Sequence, residues 1–370
     1  MVLPSRVLVW EYYTGGGFPT GHLPGGIADE ALAMLWAVLT DFRRWGAVHT
    51  VTVLDDRFGD YIPGLNRKTL PADEVCCATP ENQKEVFLSL LQRCDAALII
   101  APETDGILSR LSAEVESSEK TLLGSASSAV SLSGDKEVCG GVFEQANLST
   151  PRTGITRVKH VEDVVKRHGL PLVLKPVDGV GSEGVCLIAD PEDIPGAVLE
   201  IRRVTACDRV LFQRYVEGTH ASVSLLAAQG RSMPLSLNRQ LIHPGIPFRY
   251  SGSVVPLEHP KAVDAVQTAR RAVEQIHGLR GYVGVDMVLT GDSVCLIEVN
   301  PRLTTSYIGL RQVLSSNPAR LIYEACVYGM LPESIVLNGS VAVDCHDPAT
   351  WGWEVETEQN PLSAQLQPEK

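Results

Sequence analysis

Two adjacent apolar segments each carry a carboxylate in the middle of a predicted strand. Asp286 lies in the first and Glu298 in the second, and Asn300 follows closely. A loop at residues 291–293 predicts a hairpin that pairs Asp286 with Glu298 and Gly284 with Asn300 on one face. Buried carboxylates need partners, and this all-oxygen set suits Mg²⁺ shared with nucleotide phosphates. The alternatives are two acids at the rim of the sheet or a pair that shares one proton.

A glycine-rich segment lies between two other predicted strands. Residues 179–184 fit the pattern G-x-G-x-x-G, which opens a helix in dinucleotide-binding folds. Because a strand follows here, the pattern predicts a flap whose backbone N–H groups fold over phosphates, with Lys175 beside it. A tight hairpin without a ligand is the alternative. The flap residues predicted to bind nucleotide are Gly179, Gly181, Ser182 and Gly184.

Two further segments supply candidate nucleotide contacts. Lys136 begins a predicted helix, where a cation opposes the helix dipole unless it binds an anion. The alternative for Lys136 is a solvated side chain. A stretch between two predicted strands can line an adenine slot and reach ribose hydroxyls. Its candidates are Gln213, Tyr215, Val216, Glu217 and His220.

These residues must be positioned by two kinds of architecture. Strands predicted at 6–11, 48–54, 96–101 and 121–123 alternate with helices at 27–45, 81–93 and 107–117. This alternation predicts a parallel sheet covered by helices. After Pro151 the pattern becomes α+β, with strands on both sides of the glycine segment and further strands from Arg209 onward.

Composition excludes several classes of protein. The 370 residues are 44% hydrophobic and 21% charged, which is typical of a globular protein. A net charge of −12 without basic blocks argues against nucleic acid as a partner. No apolar run predicts a membrane span and no cleavage pattern follows the start, so we expect a cytoplasmic protein without a membrane partner. Nine cysteines without a C-x-x-C pair predict reduced thiols.

In order and spacing, the two lysines, the glycine flap, the hinge stretch and the carboxylate set resemble the ATP-grasp superfamily. The resemblance implies a mixed α/β and α+β fold, in which a βαβ domain precedes two α+β subdomains that clasp ATP. It predicts a substrate-side domain at 1–124, a lid subdomain at 125–208, a subdomain with the metal site at 209–330 and a C-terminal tail at 331–370. We expect the polar end of this tail to be frayed.

The resemblance also implies a reaction. ATP phosphorylates a carboxylate, and an amine attacks the acyl phosphate to give an amide, with Mg²⁺ as the metal and Mn²⁺ as an alternative. The catalytic candidates are Lys175 and Arg302, and Arg302 would hold the acyl phosphate or a substrate carboxylate. An ion pair of Arg302 with Glu298 is the alternative. Arg214 and His220 stand where related enzymes often carry Lys and Glu, so the ribose contact stays open.

Four short motifs, at 10–17, 238–240, 249–252 and 298–307, are similar to those of tyramine–glutamate ligases in methanofuran-type cofactor synthesis. This likeness implies that L-glutamate is activated at its γ-carboxylate and joined to tyramine or tyrosine. The partners are then small-molecule acids and amines, and a homodimer is left open. Another ligase substrate pair, a dehydrogenase and a non-catalytic nucleotide-binding protein are the alternatives. The implied substrate contacts are Tyr12, Gly15, Gly16, Arg239, Arg249 and Tyr250.

Overall fold

The computed structural model describes residues 5–19, 21–61, 65, 68–177, 183–344, 347 and 350. Within these ranges the chain folds into three sheets and the helices that cover them. No helix in this described part combines the length and apolar character that a membrane crossing requires. The mixed α/β and α+β architecture predicted from the sequence is confirmed.

The N-terminal sheet is parallel and five-stranded, in the spatial order β3-β2-β1-β4-β5. Its strands are β1 (Arg6–Glu11), β2 (His49–Asp55), β3 (Glu74–Ala78), β4 (Ala96–Ile100) and β5 (Thr121–Leu122). The chain direction across the sheet reverses between β1 and β4, where Glu11 pairs with Ile100. Such a reversal opens a crevice at the carboxyl ends of the two strands, which is the usual place for a ligand in an open parallel sheet.

Helices cover both faces of this sheet. They are α1 (Gly25–Trp45), α2 (Arg57–Tyr61), α3 (Gln83–Gln92) and α4 (Ile107–Ser117). The long helix α1 ends at Gly46, whose φ of +68° lets its N–H bond the carbonyl of Phe42. Glycine adopts this left-handed conformation without the strain that a side chain would add, so the helix stops where the sequence predicts.

The second sheet is antiparallel and four-stranded, in the order β6-β9-β7-β8. The elements of this part are α5 (Ser127–Gly134), α6 (Lys136–Gln145), β6 (Thr153–Arg157), α7 (Val161–His168), β7 (Leu172–Pro176), β8 (Cys186–Ile188), α8 (Ile194–Val204) and β9 (Arg209–Arg214). The lid subdomain was expected to end at residue 208. Strand β9 lies between β6 and β7, so a boundary there would separate β9 from its own sheet. Hydrogen bonding to β6 and β7 holds the strand there.

The third sheet is antiparallel and six-stranded, in the order β14-β13-β10-β11-β12-β15. Its part of the chain contains β10 (Thr219–Ala228), β11 (Arg231–His243), β12 (Arg249–Val255), α9 (Ala262–Glu274), β13 (Gly281–Leu289), β14 (Val294–Asn300), α10 (Ser306–Val313), α11 (Pro318–Val327) and β15 (Val341–Asp344). Strand β15 lies within the C-terminal tail expected from residue 331 and pairs with β12 along four residues. Residues 351–370 lie outside the described part.

A buried ion pair joins the N-terminal sheet to the third sheet. Arg311 on α10 lies 2.8 Å from a carboxylate oxygen of Asp41 on α1, and the hydroxyl of Tyr307 donates to the same carboxylate at 2.7 Å. Asn317 adds a bond from its side-chain amide to the carbonyl of Asp41 at 2.8 Å. Helix α1, which covers the first sheet, is thereby joined to α10, which packs against the third sheet.

Candidate active site

A cavity of about 850 Å³ lies where the three sheets meet. It opens between the β1 and β4 ends of the first sheet, β7 of the second and β10 to β14 of the third. The predicted nucleotide contacts that line it are Lys136, Lys175, Gly184, Gln213, Tyr215, Val216 and His220. The predicted metal, catalytic and substrate contacts that line it are Asp286, Glu298, Asn300, Arg302, Arg249 and Tyr250.

The two carboxylates lie directly opposite each other in the third sheet. Asp286 on β13 pairs with Glu298 on β14, and Gly284 pairs with Asn300, as the sequence predicts. The side-chain amide of Asn300 donates to Asp286 at 3.1 Å. Gln240 on β11 donates to the other oxygen of Asp286 at 3.0 Å. Two carboxylates and two amides therefore share one wall of the cavity.

This pairing arises by a different route from the predicted one. The loop has four residues, 290–293, because Leu289 pairs directly with Val294. Further along, Ile297 has no partner in the ladder, so β14 contains a bulge. The extra bulge residue compensates for the extra loop residue and restores the predicted register at the carboxylates.

Opposite pKa shifts distinguish the two carboxyl groups. Burial raises the pKa of Asp286, and the neighbouring Glu298 raises it further. Burial also opposes ionisation of Glu298, but Lys136 and Lys175 lower the pKa of this carboxyl below its usual range. The Nζ atom of Lys136 lies 2.9 Å from Oε2 of Glu298. Glu298 is thus the member of the pair that ionises more readily.

Lys175 is the second cation of the cavity wall. It lies on β7 with only 7% of its surface exposed. Burial lowers its pKa to about 7, and the nearby charge of Lys136 contributes. An added polyanion would restore the charged form, because an opposite charge favours ionisation. The wall therefore suits a phosphate chain.

Arg302 has a partner that the sequence did not suggest. Its Nε donates to Glu103 at 2.9 Å, and one terminal nitrogen donates to the carbonyl of Leu303 at 3.1 Å. Glu103 follows β4 at the crevice of the first sheet. The hydrogen bonds of its guanidinium thus join Arg302 to Glu103 rather than to Glu298, the alternative considered above.

The hinge stretch contributes four of its five candidates to the cavity. Gln213 is buried, and its amide donates to Thr153 at 2.7 Å. His220 has its Nε2 buried without a hydrogen-bond partner among the described atoms, and burial lowers the pKa of this imidazole. Glu217 is exposed and does not line the cavity. The prediction of Glu217 as a ribose contact is therefore not supported by its position.

Several predicted substrate residues lie outside the cavity lining. Tyr12 packs in the core under the first sheet, and the adjacent Tyr13 lines the cavity instead. Arg239 is exposed on the opposite face of β11 from Gln240, because successive side chains of a strand alternate. Tyr12 and Arg239 therefore do not line the cavity, whereas their neighbours Tyr13 and Gln240 do.

Two glycines of the first loop pack against protein rather than facing the cavity. A Cβ on Gly15 would lie 3.2 Å from the ring of Trp10. A Cβ on Gly16, which has a φ of +97°, would lie 2.9 Å from the backbone of Thr79. Both glycines therefore shape the turn, and neither is among the residues that line the cavity. The predicted flap residues Gly179, Gly181 and Ser182 lie outside the described part of the chain.

Two family models match the chain in succession. The pre-ATP-grasp domain matches residues 48–130 and the ATP-grasp domain matches residues 133–306. A tyramine–L-glutamate ligase of Methanocaldococcus fervens is 30% identical over 310 residues, which are 82% of this chain and 89% of that protein. The chain belongs to the ATP-grasp family. It is an ATP-grasp enzyme of the carboxylate–amine ligase class, and ATP is the nucleotide of this family.

Other relatives agree with this family. A tyramine–L-glutamate ligase of Methanocaldococcus jannaschii is 29% identical over 308 residues, covering 82% of this chain and 84% of that protein. A D-alanine–D-alanine ligase of Bacteroides fragilis is 26% identical over 194 residues, covering 49% of this chain and 59% of that protein. A crystal structure of an ATP-grasp superfamily protein from Archaeoglobus fulgidus has a TM-score of 0.65 at 26% identity and covers 92% of both chains.

The carboxylate set fits the metal that ATP-grasp enzymes use with ATP. Among the described residues, no group of three His, Cys, Asp or Glu side chains could hold a metal ion. The set here has two carboxylates, Asp286 and Glu298, with the amide oxygen of Asn300. Mg²⁺ commonly takes one or two carboxylates and completes its ligands with phosphates and water.

Two cavity residues, Glu11 and Gln240, and the partner of Arg302, Glu103, escaped the sequence prediction. Glu11 ends β1, Glu103 follows β4 and Gln240 lies on the cavity face of β11. The first two follow strands whose carboxyl ends form the crevice, a signal that was present in the sequence. Gln240 continues the alternation of Ser236 and Asn238, which are both buried on the same face. That period-two pattern would have favoured Gln240 over Arg239.

Proposed function

We propose that this enzyme joins the γ-carboxylate of L-glutamate to tyramine or tyrosine, with ATP as phosphoryl donor. The similarity to tyramine–L-glutamate ligases carries the proposal, because it extends over most of both chains and includes the N-terminal sheet. The match to D-alanine–D-alanine ligase covers about half of this chain. The longer match to the tyramine–L-glutamate ligases therefore supports the narrower substrate assignment.

The phosphate end of the cavity has the charges that phosphoryl transfer needs. Lys136 and Lys175 are the cations that would bind the phosphate chain of ATP. Asp286, Glu298 and Asn300 would hold Mg²⁺, which supplies neutralisation of the phosphate oxygens when bound. Because Lys136 is already bound to Glu298, both side chains are held in position before the nucleotide arrives. Catalysis of this kind depends on positioning and electrostatics.

The carboxylate substrate requires activation before an amine can attack it. A carboxylate oxygen attacks the γ-phosphorus of ATP, ADP leaves, and a mixed acyl phosphate results. Arg302 is buried beside the carboxylate pair and is oriented by Glu103. Its guanidinium is suited to bind the substrate carboxylate and then the acyl phosphate by two parallel hydrogen bonds. The amine then attacks the acyl carbon, and phosphate leaves.

The first loop and α1 contribute apolar side chains to the cavity wall, as an aromatic amine requires. Tyr13 from the first loop lines it together with Ile27 and Met34 from α1. The ring of Tyr13 stacks on Phe18 with ring centroids 4.5 Å apart, which fixes its face. Aliphatic, thioether and aromatic side chains all make favourable contacts with a phenol ring. This part of the wall therefore supports an amine with an aromatic body.

An ADP-release screen tests the proposal. The enzyme is incubated with ATP, Mg²⁺ and one amino acid, with or without tyramine or tyrosine, and products are identified by mass. We expect ADP in stoichiometric amount with γ-glutamyltyramine or γ-glutamyltyrosine, and full turnover only when glutamate and the amine are both present. Turnover with an aliphatic acid and an aliphatic amine, without any γ-glutamyl product, would contradict the proposed substrates. The assignment to the ligase family would be unaffected.

A further inference from the structure

Glu11 is a buried carboxylate at the amine end of the cavity. It is the last residue of β1, it is 3% exposed, and it lines the cavity at the crevice of the first sheet. The backbone N–H of Thr14 donates to its Oε2 at 2.6 Å. This bond fixes the carboxylate at the cavity wall. The phosphate-binding groups described above leave Glu11 without an assigned function.

The charge of Glu11 is poorly compensated by protein. Burial raises the pKa of its carboxyl to about 7, although backbone donors from Thr14 and Tyr13 and the charge of Arg302 oppose this. Arg302 is itself bound to Glu103 at 2.9 Å. A buried carboxylate in this situation favours an incoming cation. The other titratable and charged groups in this part of the cavity wall are Tyr13, Glu30, Glu183 and Arg302, and Arg302 is bound in turn to Glu103.

An apolar wall lies beside this carboxylate. Tyr13, Ile27, Ala31 and Met34 line the same end of the cavity. A ligand that satisfies both features has a primary ammonium group on an apolar body. Because Glu30 and Glu183 also line the cavity, a carboxylate on that ligand would be repelled here.

We propose that Glu11 is the catalytic acid–base of the amine half-reaction, binding the ammonium group of the amine substrate and removing one of its protons. The proposal rests on the ligase function proposed above and extends it to a named base. Glu11 accepts one proton from the ammonium, and the nitrogen lone pair then attacks the acyl carbon. The C–N bond forms, and the C–O bond to phosphate breaks. The departing phosphate takes the second nitrogen proton, and Glu11 returns its proton to solvent.

A purely structural role for Glu11 makes different predictions. In that case its carboxylate serves only to hold the turn at Thr14, and any substitution would impair all reactions of the enzyme equally. Glu11→Gln keeps a side-chain oxygen that accepts the N–H of Thr14 and removes the base. Hydroxylamine separates the two roles, because this small nucleophile is largely uncharged at neutral pH and needs no base to attack an acyl phosphate.

The test compares amide formation from tyramine with hydroxamate formation from hydroxylamine, both with ATP, Mg²⁺ and glutamate. For Glu11→Gln we expect amide formation to fall by about 100-fold or more, the usual contribution of a general base, while hydroxamate formation stays close to wild type. The wild-type amide reaction should lose rate below a pH of about 7, where Glu11 is protonated, and Glu11→Gln should lack this limb. Glu85→Gln, an exposed carboxylate on α3, is the matched control.

Equal loss of both reactions in Glu11→Gln and in Glu11→Asp would overturn the proposal in favour of a structural role. Wild-type amide formation in Glu11→Gln would also overturn it. If the wild-type enzyme forms no hydroxamate from glutamate, glutamate is not its acid substrate and the proposed function is contradicted instead. The same pair of reactions, run with the acid and the primary amine that the wild type does use, then decides the role of Glu11.

Discussion

The Nζ atom of Lys136 lies 2.9 Å from Oε2 of Glu298. Lys136 begins α6, where a cation opposes the helix dipole, and Asp135 accepts from the N–H groups of the first turn. The carboxylate of Glu298 offsets this unfavourable position. The lysine is thus held at the phosphate end of the cavity by a residue of the proposed metal set.

Glu298→Gln should reduce turnover by at least about 100-fold, because it removes one anionic ligand and the partner of Lys136, a loss comparable with that of a preorganised electrostatic group. The amide keeps the shape of the side chain and relieves the repulsion with Asp286, so the protein should stay folded although the ion pair with Lys136 is lost. Steady-state ADP release and a thermal melt measure the two effects. Asp292→Asn in the exposed hairpin loop is the control. Full activity of Glu298→Gln, or of the wild type in excess EDTA, would contradict the metal assignment.

The position of Arg302 predicts a loss of substrate affinity when its geometry changes. Arg302→Lys keeps the charge but loses the planar fork, so kcat/KM for glutamate should fall roughly 10- to 150-fold, as for a charge-assisted hydrogen bond. Glu103→Gln removes only the group that orients Arg302 and should give a smaller loss in the same parameter. The KM for ATP serves as the internal reference. A rise in the KM for ATP by the same factor would place Arg302 at the phosphate end instead.

Gly184, at the end of the predicted flap, has a φ of +67°, and a Cβ there would lie 2.9 Å from the ring of Pro176. Gly184→Ala should therefore destabilise this conformation by about 1–2 kcal/mol and weaken ATP binding more than glutamate binding. Isothermal titration with ATP and urea unfolding measure the two effects. Gly291→Ala, where a Cβ would meet nothing within 4 Å, is the matched control. Unchanged ATP affinity would argue against a nucleotide role for the flap.

The buried pair of Asp41 and Arg311 predicts a stability effect without a direct catalytic one. Asp41→Ala leaves the guanidinium without its buried carboxylate, so the free energy of unfolding should fall by about 3–5 kcal/mol. Tyr307→Phe removes one hydrogen bond to the same carboxylate and should lower it by about 1 kcal/mol. Urea unfolding gives both values. A change below 1 kcal/mol in Asp41→Ala would show that the two helices are held by apolar packing alone.

Much of the architecture is predictable from the sequence, because local residue patterns determine where many strands and helices begin and end. Strand β1, helix α4 and the end of α1 at Gly46 follow from apolar periodicity and from glycine chemistry. The pairing of Asp286 with Glu298 was also predictable, since alternation in a hairpin fixes the face of each side chain.

The remaining features depend on tertiary packing. The partner of Arg302 is Glu103, almost two hundred residues away in the chain, and no local pattern joins them. Strand β9 could join either neighbouring sheet by its sequence, and hydrogen bonding to β6 and β7 decides this. Tyr12 and Tyr13 differ only in the direction of their side chains, which depends on the turn shaped by Gly16.

The transfer of oxygen from glutamate to phosphate tests the central claim most directly. The enzyme is given ATP, Mg²⁺, tyramine and glutamate whose γ-carboxylate carries a heavy oxygen isotope in both positions, and the products are analysed by mass. Activation through an acyl phosphate predicts one labelled oxygen in the released phosphate and one in the γ-glutamyl amide. Amide formation with unlabelled phosphate, or ADP release without any glutamyl product, would contradict the account.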